Sequence, residues 1–219
     1  MYASFIASVL EQSTPLILAA LAAMITLRAN ILNVAVEGMM LVSAFCAIAV
    51  GSFTGSALAG FSAGVFGSII TSLIFSIITL RFGAGFIVAG LGINLLAAGG
   101  TLFVLERWYN SPGGLRPLNF PEIWHVPDGS LSFLPFLGSV LEGQSIIVLL
   151  TILAVPICWI FLYRTPTGSY LRAVGEDEYA ARSAGISVIK MKALAVTLSG
   201  LLSGLAGAQL AMDKLHFFL

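Results

Sequence analysis

Ser145–Tyr163 reads SIIVLLTILAVPICWIFLY, and Arg164 closes it. Those 19 residues carry no acidic or basic side chain. As an α-helix they would rise about 1.5 Å each, for a length close to the roughly 30 Å hydrocarbon core of a bilayer. Pro156 does not argue against this, because helices in lipid tolerate proline where neighbours take up the freed backbone group. The segment is therefore read as a membrane span, and the rest of the chain follows from it.

Five further stretches have the same character: roughly 5–27, 31–50, 57–80, 85–105 and 193–212. The first is interrupted by Glu11, Gln12 and Pro15, so its strong part begins at Pro15. The whole chain of 219 residues is 58% hydrophobic and 9% charged, with mean hydropathy +1.02. Soluble domains carry about 25% charged residues, so this chain cannot cover a globular surface with polar groups. The expected fold is all-α: one polytopic membrane domain over residues 1–219, with about six transmembrane helices and no separate soluble catalytic domain. The start, MYASFIASVLEQSTP, lacks the positive segment of a cleaved signal peptide. Cys46 and Cys158 lie in apolar runs and are read as small core residues, not as a disulfide.

Charge placement orients the spans. Setting Arg164–Lys192 in the cytoplasm also places Arg28 and Arg81 there, so seven of the ten basic residues fall inside. Arg107, Arg116 and Lys214 fall outside. This satisfies the positive-inside rule and implies an external N-terminus. Glu106–Gly143 then becomes an external loop with five prolines and the interfacial aromatics Trp108, Tyr109 and Trp124, with a re-entrant piece expected near Leu131–Val140. Gly51/Gly55, Gly60/Gly64 and Gly200/Gly204 have the spacing that lets helix backbones approach closely in lipid. Both packing within one chain and contact between chains fit that spacing.

The polar stretch before the last span, RTPTGSYLRAVGEDEYAARSAGISVIKMK (Arg164–Lys192), is the main candidate for mechanism. Pro166 and Gly168 are expected to break the chain. Gly175 precedes Glu176, Asp177 and Glu178, and Asp177–Ala184 has helix-forming composition. Acids suit the positive end of a helix, and Gly185 suits a left-handed cap that ends it. Ala180 and Ala181 would give the short helix a slim face able to enter a groove. Such a helix can transmit motion as a rigid body; a solvated connecting loop is the plain alternative.

Among the polar residues in the apolar runs, Glu37 stands out, because a carboxylate in a span is costly. It is read either as a pathway residue or as a helix anchor. Asn33, Asn94 and Gln209 are read as hydrogen-bonding contacts between helices. Neither histidine, His125 or His216, has metal-ligand spacing. There is no Gly-x-x-x-x-Gly-Lys-Ser/Thr loop, so no ATP hydrolysis by this subunit is expected, nor a cofactor, a catalytic residue or nucleic-acid binding.

Three segments carry a resemblance. Arg172–Ile186, RAVGEDEYAARSAGI, resembles the cytoplasmic coupling segment of ABC importer permeases, in the family that handles branched-chain amino acids, ribose and nucleosides. Asn33–Met40, NVAVEGMM, resembles that family's second-span signature, and Ser199–Ala208, SGLLSGLAGA, its Gly-rich span. Phe82–Gly85 and Gly92–Leu96 are similar to the nucleoside and simple-sugar branch. The resemblance implies a permease subunit in a bacterial inner membrane, paired with an identical or paralogous permease. It also implies two cytoplasmic ATPases coupled through Gly175–Gly185, an external substrate-binding protein meeting the Glu106–Gly143 loop, and a nucleoside or simple sugar as cargo. Two features depart from the pattern: family members run to about 300 residues, and Asp177-Glu178 stands where many have Asn-Pro. An ion-coupled secondary transporter or channel is the rival class, but it would show paired ionisable residues in the spans.

Overall fold

The computed structural model describes residues 2–109, 124–127 and 140–215. Its long helices are α1 (Tyr2–Arg28), α2 (Val36–Thr54), α3 (Ala57–Ser76, continuing as a π-helical turn Ile77–Arg81), α4 (Phe86–Tyr109) and α5 (Ile146–Arg164). Two short helices follow, α6 (Pro166–Glu176) and α7 (Glu178–Ser183). The last is α8 (Val188–Gln209), which runs on as a π-helix Leu210–Leu215. Six of these helices are long and apolar enough to cross a membrane, and the described residues form no sheet beyond an isolated bridge between His125 and Ser145. The all-α polytopic fold is as expected.

Two local readings need correction. The second span does not begin at Ile31. Residues 29–35 are irregular, with Asn30 at φ 56°, and α2 starts only at Val36. Hydrophobicity alone hides this, since Ile31 and Ala35 are apolar yet buried in a non-helical turn. The chain does break after the fifth span, at Thr165, but Pro166 and Gly168 begin a new helix and not a loop. Pro166 is the first residue of α6, where its missing N–H costs nothing. Gly168 is needed for close approach: a Cβ there would lie 2.0 Å from the Phe161 carbonyl oxygen of α5. The re-entrant piece expected near Leu131–Val140 lies, apart from Val140, outside the described residues.

α8 is the centre of the bundle. Of its most apolar window 61% is buried, against 28–39% for the other five spans. It packs on α1, α2 and α3, while α4 lies on α2 and α5 on α1. The glycine spacing explains the tight trio α2–α3–α8. A Cβ on Gly60 would sit 2.6 Å from the Ala47 carbonyl oxygen, and one on Gly207 2.2 Å from that of Met40. Hydroxyls join the backbones that glycine brings together. Ser43 Oγ donates to the Gly204 carbonyl and Ser68 Oγ to that of Gly200, each at 2.6 Å. In lipid, where apolar burial gives helices little reason to associate, such packing and bonding hold them. Gly51, Gly60, Gly64, Gly200 and Gly204 therefore serve packing within the chain, whereas Gly55, at φ 64° with nothing within 4 Å, ends α2. Leu95, Leu96 and Phe103 on α4, and Leu153 and Ile157 on α5, face outward, as lipid-facing side chains do.

One end of the bundle gathers basic residues. Arg28 and Arg172 both lie against the Tyr163 ring, and Lys192 against that of Phe86. At the opposite end Gln144 Nε2 donates to the Ala7 carbonyl oxygen at 3.2 Å. The three connections rich in Arg and Lys thus share a basic end.

Candidate coupling segment and helix anchors

α5 passes into α6 through the single residue Thr165. Its hydroxyl donates to the Phe161 carbonyl at 2.6 Å and accepts the Gly168 N–H at 3.1 Å, so one side chain bonds to both helices. α6 buries Gly168, Leu171 and Val174. Gly175, in its last turn, meets the connection after α1: a Cβ there would lie 2.1 Å from the Arg28 carbonyl oxygen. The segment's first glycine is thus a contact with α1.

Asp177 then caps α7, as the acids in the sequence suggested. Its Oδ1 accepts the N–H groups of Tyr179 at 2.8 Å and Ala180 at 3.0 Å, which satisfies two of the donors a helix start leaves open. Gly185 follows with φ +81°, the left-handed conformation a helix-ending glycine supplies. Glu178 pairs with Lys192 in the first turns of α8, and the lysine side chain is only 8% exposed. The pairing of Ala180 with Ala181 on one outward face is corrected. Ala180 is exposed, but Ala181 is 3% exposed and packs with Val174 and Val188. A six-residue helix must seat one side on its support, and position 181 is on that side. The outward face consists of Glu176, Asp177, Tyr179, Ala180 and Arg182, with Tyr179 83% exposed.

The polar residues of the spans divide. Asn33 Oδ1 accepts the Ala35 N–H at 3.0 Å, and its Nδ2 donates to Ser199 Oγ of α8, also at 3.0 Å. Asn94 of α4 accepts the Gly38 N–H at 2.8 Å and donates to the Val34 carbonyl at 3.1 Å. Both asparagines hold the irregular approach to α2. Glu37 lies within the second span, Val36–Thr54, at its start. It sits in the first turn of α2, exposed on this chain, where the positive end of the helix favours a carboxylate. Gln209 is fully buried, and neither amide atom has a hydrogen-bond partner among the described residues. The seating of Gly175 on Arg28 and the Glu178–Lys192 pair were missed in the sequence. Lys192 alone carried a signal, as a basic residue at the start of an apolar run.

Residues 5–216 match the family described as branched-chain amino acid transport system / permease component. The chain belongs to that family, and with six apolar helices it is a multi-pass protein of the inner (cytoplasmic) membrane. One relative, from Haloferax volcanii, is provisionally named a glucose ABC transporter permease protein. It is 33% identical over 96% of this chain and 63% of its own length. The guanosine ABC transporter permease protein NupQ of Bacillus subtilis is 33% identical, over 94% of this chain and 68% of its own. The nucleoside ABC transporter permease protein NupC of Lactococcus lactis is 32% identical, over 93% and 65%. The chain thus spans about two thirds of the length of these relatives. No solved structure matches it.

Proposed function

We propose that the chain is the membrane-spanning part of an ABC importer permease, moving a nucleoside or simple sugar with energy from separate ATPase subunits. It would pair with a second permease, identical or paralogous, and receive cargo from an external binding protein. It would have no ATPase site of its own. Relatives named for guanosine, nucleosides and glucose support the cargo class.

The observation that carries the reading is the α6–α7 hairpin. Its inner side is seated on three spans: on α5 through Thr165, on α1 through Gly175, and on α8 through Ala181 and the Glu178–Lys192 pair. Its outer side presents Tyr179, Ala180 and Arg182. A partner pressing on that side would move three spans at once, as coupling requires.

The test is Ala180→Trp, alone and with Tyr179→Ala, in membranes that also contain the partner ATPase. The permease should insert normally, while ATPase recovery on co-purification and uptake of labelled nucleosides and sugars should both fall. Thr54→Trp, at the opposite end of α2, is the control. Full ATPase recovery with full uptake in both variants would overturn the assignment.

A further inference from the structure

Three guanidinium groups gather at the basic end around two aromatic rings. Arg172 Cζ lies 4.9 Å from the Tyr163 ring centroid, and Arg28 Cζ lies 5.9 Å from that same ring. Arg164 Cζ lies 5.6 Å from the Trp159 ring. Trp159 and Tyr163 are one turn apart on α5 with centroids 6.2 Å apart, and both are exposed on its exterior. Such amphipathic rings settle at the headgroup level of a membrane.

Among the described residues none of the three arginines has a carboxylate within ion-pair distance, although the same end supplies one to Lys192. Arg172 Nη2 has only a long contact, 3.5 Å, to Ser169 Oγ, and its Nε is buried with no acceptor. Two like charges against one ring repel, and a buried N–H without an acceptor is costly. An anion against the accessible guanidinium nitrogens would relieve the repulsion. Guanidinium groups match a phosphate's oxygens with paired N–H donors.

We propose that Arg28, Arg164 and Arg172 bind the phosphodiester of an anionic phospholipid, with Trp159 and Tyr163 against its glycerol and upper acyl region. The site is distinct from the outward face of α7 and does not depend on the transport reading. It joins α1, α5 and α6 at the membrane edge. Basic pockets between helices at such an edge are suited to anionic headgroups. The position of the rings on the apolar exterior favours a lipid over free phosphate.

Native mass spectrometry of the intact protein, given phosphatidylglycerol or phosphatidylcholine in detergent, tests this. The native protein should retain phosphatidylglycerol preferentially. Each guanidinium lost should weaken retention about fivefold, so Arg28→Gln with Arg172→Gln should weaken it about 25-fold. Arg172→Lys should lose less than Arg172→Gln, and Arg81→Gln, equally basic but on α3, should change nothing. Equal retention by the double variant, or equal retention of phosphatidylcholine, would overturn the proposal. So would loss of the lipid when inorganic phosphate replaces chloride at equal ionic strength, which would indicate a soluble anion. If the double variant does not fold, the single variants decide: retention unchanged in both would reject the site.

Discussion

Under the proposed function, Gly175→Ala is the smallest change that should separate holding the ATPase from using it. An alanine Cβ would lie 2.1 Å from the Arg28 carbonyl oxygen, 2.9 Å from that carbonyl's carbon and 3.3 Å from Ala29 Cα. The oxygen and carbon are backbone, so no side chain can swing aside. Restoring an ordinary 3.4 Å separation requires α6 to lift from the α1–α2 connection by about 1.3 Å. Overpacking of this kind costs about 1–3 kcal/mol, or roughly 2–12 °C in Tm for a chain of this size. The outward face of α7 keeps its side chains, so ATPase recovery should be normal. Transmission to α1 should suffer, so ATP should be hydrolysed with less cargo moved per turnover. The assay is reconstitution with the ATPase and binding protein, measuring Tm, hydrolysis and uptake together. Gly185→Ala is the contrast, because a Cβ there meets nothing within 4 Å and only its φ of +81° resists. That strain costs about 1–2 kcal/mol and leaves the seat on α1 untouched. Gly175→Ala with unchanged Tm and full uptake per ATP would refute the seating argument.

Other outcomes follow from the same geometry. Asn94→Leu leaves the Gly38 N–H and Val34 C=O without their partner and should cost about 2–4 kcal/mol, seen as lower yield of folded protein. Glu178→Gln strips a nearly buried lysine of its counter-charge and should lower stability by about 1–2 kcal/mol, discounted because Glu178 is itself 36% exposed; thermal melting with Lys192→Met as partner variant measures the coupling. Glu37→Leu should insert and fold normally, because the carboxylate is exposed on this chain; a loss of folded protein would show that it is gripped in the assembly. In a chain with Cys46 and Cys158 replaced, Thr54→Cys should label from outside intact cells with an impermeant reagent and Ser169→Cys should not; the reverse pattern would invert the topology.

The spans were legible because each needs about 20 apolar residues in a row, and no other demand on the chain imitates that. The trio α2–α3–α8 was half legible. The glycine spacing marked close approach, but only the fold shows that Gly60 meets Ala47 and Gly207 meets Met40. Residues 31–35 misled because an apolar composition does not say whether a turn is helical; what ends the helix reading is Asn33 bonding its own backbone two residues on. Glu37 stays within the second span but falls at the start of its helix, not in the helix interior. α6 was missed because Pro166 and Gly168 mark the break at Thr165 and yet fall in the first turn of the next helix, where a proline costs nothing. Ala181 shows the general limit. A short helix has two faces, and which one is seated depends on partners, here Val174 and Val188, that local composition does not name.

The Thr165 corner has a mechanical consequence. α6 has 11 residues, so it projects about 16 Å from that joint. A displacement of about 1 Å at its tip, if the joint stays locked, rotates the joint by about 3.5°. α5 extends about 28 Å the other way, so its far end would swing by about 1.7 Å. An elbow that neither helix can bend independently would amplify a small thrust at one face of the membrane into a larger sweep at the other.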